Sequence, residues 1–208
     1  MKNIEYFYAA YSGYAYIGSA LFQQIAAKAG ATVVHRPFFL GDLVRARGNA
    51  DRVREGTYSA YWFGREIERW AEYRGARIIK RRPTHHHESY DMANRMLISS
   101  GETGQGTDRL AHAFLEAHWA DDADLSNRQT LLAIAASVGL DGAALFEAAG
   151  AEEIAARYRA NTEEAIDRGF FGSPTYVVDG DPFYGQDRLE LVARALEKPF
   201  ANEWVLPS

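Results

Sequence analysis

The chain has 208 residues, 47% of them hydrophobic, a formal net charge of −5 and no cysteine. That length holds one large domain or one domain with a sizeable insertion, and twelve Tyr, eleven Phe and four Trp suffice for a real core. The acidic balance gives no sign of a nucleic-acid protein, and without thiols there is no disulfide, thiolate metal site or protein thiol nucleophile. Any thiol chemistry must use a sulfur from another molecule. The sequence shows no hydrophobic signal segment and no apolar run of membrane-spanning length, so the expectation is a cytoplasmic protein. Basic residues cluster at Arg45, Arg47, Arg52 and Arg54 and at Lys80, Arg81 and Arg82, as solvated surface or as receivers of a carboxylate.

The run Glu5-Tyr6-Phe7-Tyr8-Ala9-Ala10 reads as a buried strand, and Ile17, Leu21 and Ile25 place a helix after it that stops before Gly30. Ser12 therefore falls at the strand-to-helix turn, where backbone N–H groups lack internal partners and favour an anion. It reads both as a simple N-cap and as a catalytic hydroxyl. A second strand follows at 31–37, parallel to the first across the helix, with His35 read as a strand-end residue rather than a ligand. A loop is expected at 45–49, marked by Gly48-Asn49.

Helices are expected at 57–74 (Phe63, Ile67 and Trp70 on one face), at 88–100, around Leu110 and Phe114, around Leu131 and Ala135, at 142–149 and at 152–168. Between the first two, 77–80 is short and extended, and His85, His86 and His87 form a polar loop. Neighbouring histidines cannot all face one metal, and the spacing of a zinc-protease helix is missing, so no metal site is assigned. At the C-terminal end, 173–178 reads as a strand, Asp179-Gly180 as a hairpin turn and 182–185 as the returning strand. Asp187 is expected to cap a final helix with Leu189, Val192, Ala193 and Leu196 inward. The order β-α-β, helical block, β-β-α describes an α/β sandwich, one unit at 1–56 and 169–208 with an all-helical insertion at 57–168.

Two motifs carry a resemblance. Phe7-Tyr8-Ala9-Ala10-Tyr11-Ser12-Gly13-Tyr14-Ala15-Tyr16 is similar to F-Y-D-x-x-S-P-Y-S-Y. Phe171-Gly172-Ser173-Pro174-Thr175-Tyr176-Val177-Val178-Asp179-Gly180-Asp181-Pro182-Phe183-Tyr184-Gly185-Gln186-Asp187-Arg188-Leu189 is similar to F-G-V-P-T-F-x-V-D-G-x-x-F-W-G-x-D-R-L. Both patterns belong to the DsbA-like thioredoxin-fold family, in the branch of 2-hydroxychromene-2-carboxylate isomerases and kappa-class glutathione transferases. With a weaker match at Gly48-Asn49, the resemblance covers nearly the whole chain.

The resemblance implies glutathione as the source of the thiol, with Ser12 donating a hydrogen bond to its sulfur. It implies a cis Ser173-Pro174 bond and a backbone at Ser173 that pairs with the cysteinyl group. Tyr184, Gly185, Gln186 and Asp187 match positions that hold the γ-glutamyl end, with Asn49 a further contact. Arg45, Asn49 and His86 fall where relatives meet a small aromatic carboxylate or another electrophile. It implies a homodimer, formed through the helical block. The activity implied is isomerisation by reversible thiolate addition, in aromatic degradation. A kappa-type transferase or peroxidase, or a non-catalytic binding module, stands as the alternative. Departures lie at Gly13 (proline in the family), at Ala15, after Asn49 and at the histidine run.

Overall fold

The computed structural model describes residues 2–202 and 204–206; the side chains of Val53 and Arg54 lie outside that description. Four strands form one sheet: β1 (Asn3–Tyr8), β2 (Thr32–Pro37), β3 (Thr175–Val178) and β4 (Asp181–Tyr184), in the order β2-β1-β3-β4. β1 and β2 run parallel because α1 (Gly13–Ala29) crosses between them, whereas β3 is antiparallel to both β1 and β4. The two-residue hairpin has positive φ at both Asp179 (50°) and Gly180 (87°), as the right-handed strand twist requires.

Alternation along β1 sends Ile4, Tyr6 and Tyr8 to one face and Phe7 to the other. On the first face Tyr6 stacks on Tyr8 (ring centroids 4.0 Å) and on Tyr176 (5.3 Å), over Phe22 of α1 and over Leu189, Val192 and Leu196 of α11 (Leu189–Glu197). On the other face Phe7, Val177 and Phe38 meet Leu43 of α2 (Leu40–Ala46) and Ala165 of α10 (Glu152–Asp167).

Between β2 and β3 the chain is helical. After α2 come α3 (Ala50–Arg54), α4 (Gly56–Ala60), a π-helical turn (Tyr61–Arg65) and α5 (Glu66–Arg74). Then follow α6 (Asp91–Ser99), α7 (Gln105–Asp121), α8 (Arg128–Ser137) and α9 (Gly142–Ala149), before α10 returns to the sheet.

Local expectations fail in four places. Arg45 is helical rather than in a loop: Leu43 pulls α2 onto the sheet, and Gly41 hides that helix from a sequence reading. The helix expected at 57–74 is broken by the π turn. The next one starts only at Asp91. Asp187 caps no helix. α11 is preceded by a 3-10 turn, Gln186–Arg188, entered through Gly185 at φ 97°, which leaves Asp187 inside the turn.

Candidate active site

The site is built on the turn between β1 and α1. Ser12 is the N-cap of α1: its backbone is extended, and its Oγ accepts the Ala15 N–H at 3.3 Å. The same hydroxyl donates to the Ser173 carbonyl at 3.1 Å, so Ser12 bridges the helix start and the loop before β3. Ser173 answers through its own Oγ, which accepts the Ala9 N–H at 3.0 Å. The Ser173-Pro174 peptide is cis, and the Pro174 carbonyl accepts the Gly185 N–H at 2.9 Å. Among the described residues the Ser173 N–H engages no partner. Ser12, Ser173 and Pro174 are thus brought together, with one backbone edge left open.

Tyr184 and Gly185 lie beside this edge, the Tyr184 ring passing 2.8 Å from where a Cβ on Gly172 would stand. Gln186 is buried; its Oε1 accepts from Arg74 Nε at 3.1 Å, and its Nε2 has no partner among the described residues. Arg74 also holds Glu190 through two bonds of 2.7 and 3.2 Å and keeps its carboxyl below the usual range. The Asp187 carboxylate pairs with Arg188. An open groove of about 780 Å³ beside α5, lined by Arg69, Trp70, Tyr73 and Glu190, reaches this cluster through Arg74. It does not include Ser12.

From the serine turn a row of rings runs into the helical block. Tyr11 stacks on Tyr90 (3.7 Å), Tyr90 lies 6.0 Å from Phe39, and Arg45 sits 5.8 Å over Phe39 while pairing with Asp42. On the other side Tyr11 meets His86 at 5.0 Å. Arg45 and His86 therefore mark two ends of one row. Asn49 follows α2, half-buried, and no contact among the described residues joins its amide to the row.

The three histidines turn to three partners: His85 to Asp124 (3.7 Å), His86 Nδ1 to His118 Nε2 (3.0 Å) and His87 to Arg82 (3.3 Å). Among the described residues no cluster of three or more His, Asp or Glu could hold a metal ion. Burial, with His118, Arg82 and His87 adding to it, holds His86 down to about 3, and burial lowers His118 as well. Burial raises Tyr11, Tyr14 and Tyr90, so their hydroxyls stay protonated at neutral pH.

Sequence reasoning missed several supports. Trp119 Nε1 donates to the Tyr11 carbonyl (2.8 Å), and its ring lies where a Cβ on Gly13 would come within 2.7 Å. Buried Asn94 accepts the Ala10 N–H (3.0 Å) and donates to Tyr158 (3.0 Å). Tyr14 donates to the Trp62 carbonyl in the π turn (2.6 Å). His35 is interior rather than at a strand end: Nε2 donates to Asp108 and Nδ1 accepts from the Tyr8 hydroxyl, both at 2.9 Å. Aromatic density near Ser12 was the one sequence signal for any of these; the partners lie far along the chain.

A family model described as the DSBA-like thioredoxin domain matches residues 3–197. A 2-hydroxychromene-2-carboxylate isomerase from Sphingobium xenophagum is 26% identical, over 92% of this chain and 96% of its own. Among solved structures, a 2-hydroxychromene-2-carboxylate isomerase superposes with a TM-score of 0.81 at 21% identity, covering 94% of this chain and 95% of its own. A probable DsbA oxidoreductase from Streptomyces coelicolor gives 0.77 at 22% identity, over 100% and 94%. At these identities the structural matches speak to the fold.

Proposed function

The chain belongs to the DSBA-like thioredoxin domain family, and from that premise we propose that it is a glutathione-dependent isomerase of the 2-hydroxychromene-2-carboxylate type. The observation that carries the reading is the Ser12 hydroxyl at the start of α1, beside the open backbone edge of Ser173, in a chain with no cysteine. The similarity to the Sphingobium isomerase supports the choice of reaction.

The residues present fit a tripeptide thiol. Ser173 offers an unengaged N–H for strand-like pairing, and the buried Gln186 Nε2 lacks a partner that a γ-glutamyl carboxylate would supply. Asp187 adds a carboxylate for the ammonium of that end, with Tyr184 and Gly185 as its wall and Asn49 as a further contact. When bound, glutathione supplies a thiolate that adds reversibly to a conjugated double bond and so lets it turn. Ser12 swings its O–H from the Ser173 carbonyl to the sulfur, and the N-terminal dipole of α1 favours the anion beside it. The row from Arg45 through Phe39, Tyr90 and Tyr11 to His86 receives a small aromatic carboxylate and holds it against the thiol.

Calorimetry with glutathione, followed by titration of the bound thiol through its ultraviolet thiolate absorbance, tests the reading. Saturable binding is expected, weaker in Asp187→Ala, with a thiol pKa below the free value of about 8.5 that climbs back in Ser12→Ala. Absence of binding at millimolar glutathione overturns the proposal. Binding without isomerisation of 2-hydroxychromene-2-carboxylate overturns the substrate assignment.

A further inference from the structure

We propose that His86 is a tautomer-locked hydrogen-bond acceptor whose Nε2 selects aromatic ligands carrying a hydroxyl group, with His118 as its positioning residue. The inference rests on the isomerase reading for where the organic ligand lies, and it adds the class of group that the ligand presents there.

The lock starts at a backbone carbonyl. Ala123 O can only accept, so the ring nitrogen 3.0 Å from it, His118 Nδ1, carries the hydrogen. Neutral His118 then has its lone pair on Nε2, which lies 3.0 Å from His86 Nδ1, so that nitrogen must donate. Neutral His86 is left with a lone pair on Nε2. That atom has no hydrogen-bond partner among the described residues, and the His86 side chain is half-buried rather than enclosed.

Its place is fixed from both sides. The His86 ring lies 5.0 Å from Tyr11, the residue before Ser12, and 5.3 Å from Trp119, which covers Gly13. The loop carrying it is tied to the end of α7 by Asp122, which accepts from the Thr84 N–H and hydroxyl, each at 2.7 Å, and pairs with Arg81. Protonating the pair would reverse the direction of the bond. Burial of both rings opposes this, and Arg82 and His87 oppose it further at His86, against the pull of Asp122 and Asp124 on His118. A carboxylate at Nε2 would set a lone pair against a negative charge; a phenol, enol or hemiketal hydroxyl donates to it. The carboxylate of a ligand therefore belongs at the Arg45 end of the row and its hydroxyl at the His86 end.

Two measurements on the ligand-free chain test this, neither needing glutathione. Long-range ¹⁵N–¹H spectra at neutral pH are expected to show both rings protonated on Nδ1 alone; a hydrogen on His86 Nε2 overturns the lock without any variant having to fold. Affinities for 2-hydroxycinnamate and cinnamate are expected to differ by about tenfold in favour of the hydroxyl. His86→Leu should abolish that preference, bringing the two affinities together. His118→Phe should also reduce it, because His86 is then free to take the other tautomer. Equal affinities in the wild type, a preference that survives His86→Leu, or binding of neither compound overturns the proposal, whatever glutathione does.

Discussion

Gly13 occupies the first position of α1, where proline is favoured in general and where the resembling motif carries one. Its surroundings explain the departure. A Cβ there would stand 2.7 Å from Trp119 Cζ2 and 3.0 Å from Ile67 Cδ1; the indole is a rigid ring, and both side chains are buried. Trp119 is held by its bond to the Tyr11 carbonyl, so the glycine and the indole form one device that sets the backbone just before Ser12. Two effects then compete in Gly13→Ala. Reduced freedom of the unfolded chain stabilises by about 0.4–1 kcal/mol. Overpacking costs about 1–3 kcal/mol. Crowding wins, and we expect a net loss of about 1–2 kcal/mol in urea unfolding, with changed tryptophan fluorescence in the folded state as Trp119 shifts. Unchanged or raised stability would show that the indole moves freely.

At the scale of elements, the π turn is the least expected feature. The sequence at 57–74 has the helical period, with Ile67 buried and Phe63 and Trp70 packed against the core, yet the backbone widens at Tyr61–Arg65, where the Glu66 N–H reaches back to the Tyr61 carbonyl. Tyr14, in the first turn of α1, donates to the Trp62 carbonyl, so the widened turn is tied to the serine helix by a single bond. Tyr14→Phe keeps the ring and removes the bond. We expect a loss of about 0.5–1.5 kcal/mol and faster amide exchange confined to 61–65, measured by hydrogen exchange. Faster exchange throughout α1 would instead assign Tyr14 to the global core. Nothing in the local sequence announces this turn, because its partner is 48 positions away. The same holds for Ala10 and Asn94, which are 84 apart. By contrast the strands were legible. An apolar, aromatic run, the Asp179-Gly180 turn and the crossover helix are local signals, and they gave the parallel first pair and the C-terminal hairpin; the order across the sheet depends on the pairing of β1 with β3, which is long-range. Ser12 was placed by the same signals, at the turn between β1 and α1, whereas Ser173 and Pro174 entered only through the resemblance of the motif at 171–189. The row of rings beside Ser12 was not legible, His86 apart, since it is assembled from Phe39, Tyr90, His86 and His118 on separate helices and loops.

For the molecule as a whole, the histidine pair ties stability to pH in a direction opposite to that of a salt-bridged histidine. The folded chain holds His86 down to about 3 and also lowers His118, chiefly through burial, whereas the unfolded chain titrates both near 6.5. Between those limits the unfolded state binds more protons, so stability is complete above about pH 6.5 and drains away as the pH falls towards 3. His86 contributes at most about 1.4 kcal/mol per pH unit across that window, less where solvent reaches it, and His118 acts in the same direction. Carboxyls held below their usual range, at Asp122, Asp124, Glu152 and Glu190, also cost stability in acid, but only once the pH approaches their unperturbed values of 3.8 and 4.5. The interval from pH 7 to pH 5 therefore isolates the histidines. We expect the wild type to lose about 1–3 kcal/mol across it in urea unfolding, and His86→Leu to lose less. A flat profile would mean that the rings are open enough to titrate normally. A rise in stability towards pH 5 would mean that the pair is charged in the folded chain, which would reverse the bond between His118 Nε2 and His86 Nδ1 and leave His86 Nε2 a donor.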